Sequence, residues 1–198
     1  MKSSRADGHR PQRADARDNR ERVLQAARTV FAEQGPRASL NKIAQLAGVG
    51  PGTLYRNFPN LQSLLVTIIG DDVDVLCARG RDLLDHPSSD EALRAWLRLV
   101  ALHASAMRGL VATQMIAQPT EETSTALTAC HEAILTTGTA LLTRAQHQGN
   151  APADLDMADL LLLANAVAWA SEQAPADHRR FDRLLALINT GVPYTAPL

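Results

Sequence analysis

Apolar positions along this chain recur at three- and four-residue intervals, and no stretch keeps the strict alternation that a half-buried strand requires. Val23, Ala27, Val30 and Phe31 share one helical face and predict a first helix from about Arg17 to Gln34, closed by Gly35 and Pro36. Behind a natural cap at Ser39, Leu40, Ile43, Ala44 and Ala47 predict a short second helix. Gly48 marks a tight turn, and a third short helix follows from Gly50 or Pro51 to Asn57, with Leu54 and Phe58 inward. The pattern then lengthens. A fourth helix spans roughly Leu61 to Asp85 and stops at His86-Pro87, and Ser88-Ser89-Asp90-Glu91 reads as a capping box opening a fifth, to about Arg108. Gly109 is expected to break it before a short sixth helix, Leu110 to Ala117. A seventh runs from Thr120 to His147, and residues 156–173 and 177–190 give the last two, so the fold class is all-α with about nine helices.

Charge divides this pattern into a head and a body. The net charge of the 198-residue chain is −1, but residues 1–65 hold 11 Lys and Arg against 5 Asp and Glu, while residues 66–198 hold 9 against 16. A basic module facing a polyanion and an acidic one that does not would produce this asymmetry. The expected organisation is a basic flexible arm (1–16), a three-helix head (17–65) and a larger helical body (66–198). With 45% hydrophobic residues the chain is not a disordered one. The arginine-rich start has no signal-peptide core, and the longest apolar run, Leu160 to Ala170, is interrupted by Asn165 and too short for a bilayer. Cys77 and Cys130 lack metal-ligand spacing and read as reduced thiols, so a cytoplasmic location without membrane contact is expected.

The informative stretch runs from Ser39 to Phe58. Two helices of about two turns, joined at a glycine and held at an angle by apolar contacts, form a helix-turn-helix. Its second helix is then free to present polar residues to a DNA major groove about 12 Å wide. Pro51 or Gly52, Tyr55 and Arg56 avoid the face buried by Leu54 and Phe58. Small residues there let backbone approach DNA, and the tyrosine and arginine supply donors.

At this point the sequence resembles the tetracycline-repressor (TetR) family of bacterial transcriptional regulators. The residues carrying the resemblance are Arg22-Val-Leu-x-Ala-Ala, Phe31-Ala-Glu-x-Gly35, Ser39-x-x-x-Ile43-Ala-x-x-Ala-Gly-Val49 and Gly52-Thr-Leu-Tyr-x-x-Phe58, within residues 17–65. The resemblance implies that Ser39 and Thr53 give hydroxyls to phosphates and that Tyr55 packs against or bonds the backbone. It also places Lys42, Gly52 and Arg56 near base edges or adjacent phosphates. Two positions depart from the family pattern. Gly50 stands where Ser or Thr is usual, and Leu61 stands where a phosphate-gripping lysine is usual. Backbone N–H groups beside Asn60, or the arginines of the arm (Arg5, Arg10, Arg13, Arg17), are candidate substitutes, and a solubilising tail is the alternative for the arm.

Beyond residue 65 the resemblance fades. Trp96, Val100, His103 and Met107 form one stripe, and Leu127, His131, Ile134, Leu135, Gly138 and Leu142 another. In the family these helices enclose a ligand pocket, which makes Trp96, His103, Met107, Met115 and His131 the candidate lining for an apolar small-molecule effector; ordinary core packing is the competing reading. Leu160 to Leu163 are contiguous, so that helix is apolar on more than one side and needs cover on both. The family's dimer interface lies in its last two helices, which points to a homodimer with Leu161, Trp169, Leu184 and Ile188 at the interface. No nucleophile elbow, phosphate loop or metal box is present in the sequence, so no catalytic, metal or cofactor residue is assigned, and an enzyme and a DNA-free helical interaction protein are the rival classes. The expected function is that of a repressor, binding palindromic double-stranded operator DNA and released by its effector.

Overall fold

The computed structural model describes residues 10–111, 120–173 and 179–190, and among them every regular element is helical. In chain order these are α1 (Arg10–Gln34), α2 (Leu40–Ala47), α3 (Pro51–Asn57), α4 (Leu61–Asp82), α5 (Ser89–Val111), α6 (Glu121–His147), α7 (Met157–Glu172) and α8 (Arg180–Thr190), with single 3-10 turns at Gly35–Arg37 and Leu83–Asp85. The helices expected seventh, eighth and ninth are thus α6 to α8. Of the expected short sixth helix, Leu110 and Val111 close α5 and the rest lies outside the described residues. Gly109 does not break α5. A single glycine costs a helix interior only about 1 kcal/mol relative to alanine, which flanking turns can carry. The chain folds as two compact units, one of residues 1–68 with 110–123, the other of 69–109 with 124–198.

In the first unit α1 buries Val23, Leu24, Ala26, Ala27, Val30 and Phe31, the expected stripe with Leu24 and Ala26 added. Ile43 and Ala44 of α2 and Leu54 of α3 are buried with them, and Leu64, Leu65 and Ile68 from the start of α4 are fully enclosed. The helix α1 starts at Arg10, so residues 10–16, expected to be arm, are its first two turns. Arg, Gln and Ala are good helix formers, and Pro11 sits in the first turn where its missing N–H costs nothing.

The second unit is organised around Trp96, whose side chain has no solvent exposure. It fits because two helices give way: a Cβ on Gly80 of α4 would lie 2.6 Å from one ring carbon, and a Cβ on Gly138 of α6 would lie 2.6 Å from the indole nitrogen. The indole N–H has no hydrogen-bond partner, so close packing alone holds the ring. Asp156 caps α7 by accepting from the Ala158 N–H at 2.6 Å. Arg98 ties α5 to α8, pairing with Asp182 at 2.6 Å and lying 5.4 Å above the Phe181 ring. Ser105 donates to the Glu172 carboxylate and ties α5 to α7.

Candidate functional site

Ser39 is extended at φ −140° and caps α2, its hydroxyl oxygen accepting from the Lys42 N–H at 3.3 Å. Gly48 ends the helix in the left-handed conformation, φ 66°, where a side chain would be strained. Its N–H reaches back to Gln45 and the Val49 N–H to Ala44, closing the turn. Gly50 caps α3 through its backbone alone, its carbonyl accepting from Thr53 and Leu54 at 3.0 and 3.2 Å. The usual Ser or Thr at this position is therefore dispensable for the turn, at a cost of a few tenths of a kcal/mol.

This geometry buries Leu54 and leaves Pro51, Gly52, Thr53, Tyr55, Arg56 and Asn57 exposed along the rest of α3. Tyr55 is 45% exposed and its hydroxyl donates to Asn41 Oδ1 of α2 at 3.2 Å, which holds the ring across the two helices. Arg56 folds its Nε back to the Gly52 carbonyl at 3.1 Å, leaving the other guanidinium nitrogens for a ligand that can displace or share that contact. At Gly52 a Cβ would meet nothing within 4 Å, so the gap there is open to an approaching molecule. Ser39, Lys42, Thr53, Tyr55 and Arg56 are all exposed. Sequence reasoning did not single out Asn41 and Asn57, the latter donating from Nδ2 to the Thr53 carbonyl at 2.8 Å. Their signal was polarity at outward helical positions of the motif. Asn60 caps α4, accepting from the Ser63 N–H at 2.7 Å, so one backbone donor considered for phosphate is already engaged.

In the second unit the expected effector residues separate. Trp96 is core. His103 and Met107, both half-buried, line an open groove of about 340 Å³ with Leu99 and Leu102 of α5 and Val75 and Leu76 of α4. Asp72 and Arg79 are the groove's other polar edges. Burial pushes the His103 imidazole below its usual pKa, and the Asp72 carboxylate partly opposes this. His131 is exposed on α6 and does not line this groove, and Met115 lies outside the described residues. On α7, Leu161 is buried in its own unit, whereas Leu162 (68%), Leu163 and Trp169 (57%) are exposed. The outward side of the leucine run is therefore one residue on from the residue expected. Leu184 is half-buried on α8, and Ile188 falls in the last turns of α8, beyond the described side chains. Among the described residues no cluster of His, Cys, Asp or Glu could hold a metal ion, and no helix is long and apolar enough to cross a membrane.

Residues 23–68 match the family described as bacterial regulatory proteins, tetR family, and residues 88–193 match the SbtR-like transcriptional regulator C-terminal domain. A TetR transcription regulatory protein from Mycobacterium vanbaalenii is 33% identical, over 93% of this chain and 100% of that one, with a TM-score of 0.68. A TetR transcriptional regulator from Streptomyces coelicolor is likewise 33% identical, over 89% and 99%, with a TM-score of 0.69. HTH-type transcriptional regulators of Staphylococcus aureus are 36% identical over 74 residues, 37% of this chain and 40% of their own length. At 18% identity, FadR from Bacillus subtilis, solved with stearoyl-CoA, shares the fold at a TM-score of 0.70. With both domain matches in chain order and the helix-turn-helix geometry in place, this chain belongs to the TetR family of DNA-binding transcriptional regulators.

Proposed function

We propose that this protein is a repressor that binds palindromic operator DNA as a homodimer and leaves it when a small apolar molecule binds its body. The observation that carries the reading is the face of α3: Leu54 is anchored in the core while Gly52, Thr53, Tyr55 and Arg56 stand exposed behind the Gly48 turn. A helix so anchored can lie in the major groove, with Arg56 and Lys42 reaching base edges or phosphates and Ser39 and Thr53 giving hydroxyls to phosphates.

Dimerisation is supported by the exposed Leu162, Leu163 and Trp169 on α7, apolar area that a second copy would cover. Two heads then read two half-sites about 34–36 Å, or one helical turn, apart. Release is supported by the groove at His103 and Met107, whose walls are aliphatic apart from Asp72, Arg79 and the imidazole. One wall belongs to α4, the helix that follows the recognition helix, so a ligand that moves α4 alters the heads. A hundredfold drop in occupancy requires the ligand to prefer the unbound shape by roughly 2.7 kcal/mol.

Selection of bound duplexes from a random pool tests the reading. A two-fold-symmetric sequence is the expected product, and Met107→Trp, which fills the groove, should keep its operator affinity while becoming insensitive to effector. Recovery of no preferred sequence would overturn the function.

A further inference from the structure

We infer that the N-terminal half of α1 is a second DNA-contacting element, an arginine strip that holds the phosphate backbone beside the groove entered by α3. The inference rests on the DNA-binding reading of the helix-turn-helix and adds a contact surface outside it.

Arg10, Arg13, Arg17 and Arg20 follow one another along α1 at spacings of three, four and three residues. At 3.6 residues per turn these four positions fall within roughly 80° of arc, a single strip on the helix. Asp15 and Asp18 fall outside it, and Glu21 borders it one turn on from Arg17. The same strip continues C-terminally into the buried Leu24, Ala27 and Phe31. The face of α1 that is apolar against the head's core is therefore arginine where the helix runs on toward its start.

The described arginines of the strip meet the recognition helix. Arg17 and Arg20, both exposed, line a cleft of about 400 Å³ whose opposite side is Thr53 and Asn57 of α3, with Val23 and Phe58 at its base. Polyanionic chain lying against the exposed side of α3 is thus within the field of these guanidinium groups. Arginine is suited to the task, because its planar fork pairs with phosphate oxygens in a bidentate manner. The occupant that fits is the operator's own sugar–phosphate backbone, since the cleft opens beside the helix that reads the bases. Leu61 leaves the start of α4 without a cationic side chain, and the strip supplies the missing charge from another helix.

The test is fluorescence anisotropy of the full-length protein on a selected operator duplex and on a scrambled duplex, over a series of KCl concentrations. The Arg13→Gln/Arg17→Gln variant keeps helix-forming residues at both positions, and Arg17 is exposed. Each phosphate no longer neutralised should lower the slope of log K against log salt by about 0.9, so two arginines in each of two protomers should lower it by about two to four. Both duplexes should weaken together, with the operator-to-scrambled ratio kept within about twofold, and helicity and melting temperature should not move. An unchanged salt slope, with Arg56→Ala still weakening operator binding, overturns the strip and leaves the function standing. A wild-type protein without preference for any duplex overturns both.

Discussion

Two glycines on the same helix should respond to alanine with opposite signs. At Gly70, an added Cβ on α4 would meet nothing within 4 Å. Gly70→Ala therefore gains only the helix-propensity difference, about 0.5–1 kcal/mol in favour of the fold. Ten residues on, at Gly80, the same methyl would lie 2.5 Å from Thr137 Cγ2 and 2.6 and 2.9 Å from two Trp96 ring carbons. Carbon pairs pack at about 3.5–4.0 Å, so something must move by roughly 1 Å. Trp96 cannot retreat, because the space beyond its indole nitrogen is closed by the Gly138 backbone and Met157. Overpacking of this kind costs about 1–3 kcal/mol, and the propensity gain offsets about 0.5–1 of it, for a net loss of up to about 2.5 kcal/mol. Thermal unfolding at one fixed protein concentration reads both, at roughly 2–4 °C per kcal/mol for a chain of this size. The expected shifts are upward for Gly70→Ala and downward for Gly80→Ala. Equal shifts of the same sign would refute the packing of Trp96 between α4 and α6.

Other outcomes follow from single residues. Leu161→Ala should cost about 2–4 kcal/mol of stability by opening a cavity, while Leu163→Asp and Trp169→Asp should leave each protomer folded and yield monomers in light scattering at micromolar concentration. Leu184→Asp should weaken the dimer and, through it, operator binding, because the two half-site contacts are no longer linked. Asp156→Ala removes the cap of α7 and should cost about 1 kcal/mol in urea unfolding. His103 titrates below its ordinary pKa in the fold, so the unfolded chain binds the proton more readily. Stability should accordingly fall as pH drops below about 6.5 toward the depressed folded value and be flat above, and His103→Gln should flatten that limb.

What the sequence made legible was local. Ser39, Gly48 and the apolar Leu40, Ile43, Ala44 and Leu54 each carry a backbone or packing requirement that can be read within one turn of helix, and the structure puts each where its chemistry demands. The start of α1 was not legible, because the sequence from Arg10 to Ala16 is compatible with helix but carries no periodic apolar pattern that would announce it. Leu160 to Leu163 identify an apolar helix without saying which leucine looks outward. Packing in the fold turns Leu161 inward and Leu162 and Leu163 out. Trp96, His103 and Met107 form one stripe in sequence, yet only Trp96 meets the glycines of α4 and α6, so the stripe passes from core to groove along its length. Those glycines lie 16 and 42 residues from Trp96 in the chain, beyond the reach of any periodicity argument.

Whether the exposed side of α3 reads DNA is tested most directly by dissociation constants for one selected operator. Wild-type protein should bind that duplex in preference to a scrambled one. Tyr55→Ala and Arg56→Ala should each weaken the operator complex by about 1–3 kcal/mol, roughly 5- to 150-fold, while folding normally. Operator affinity unchanged by both substitutions would contradict the assignment of α3 as the recognition helix.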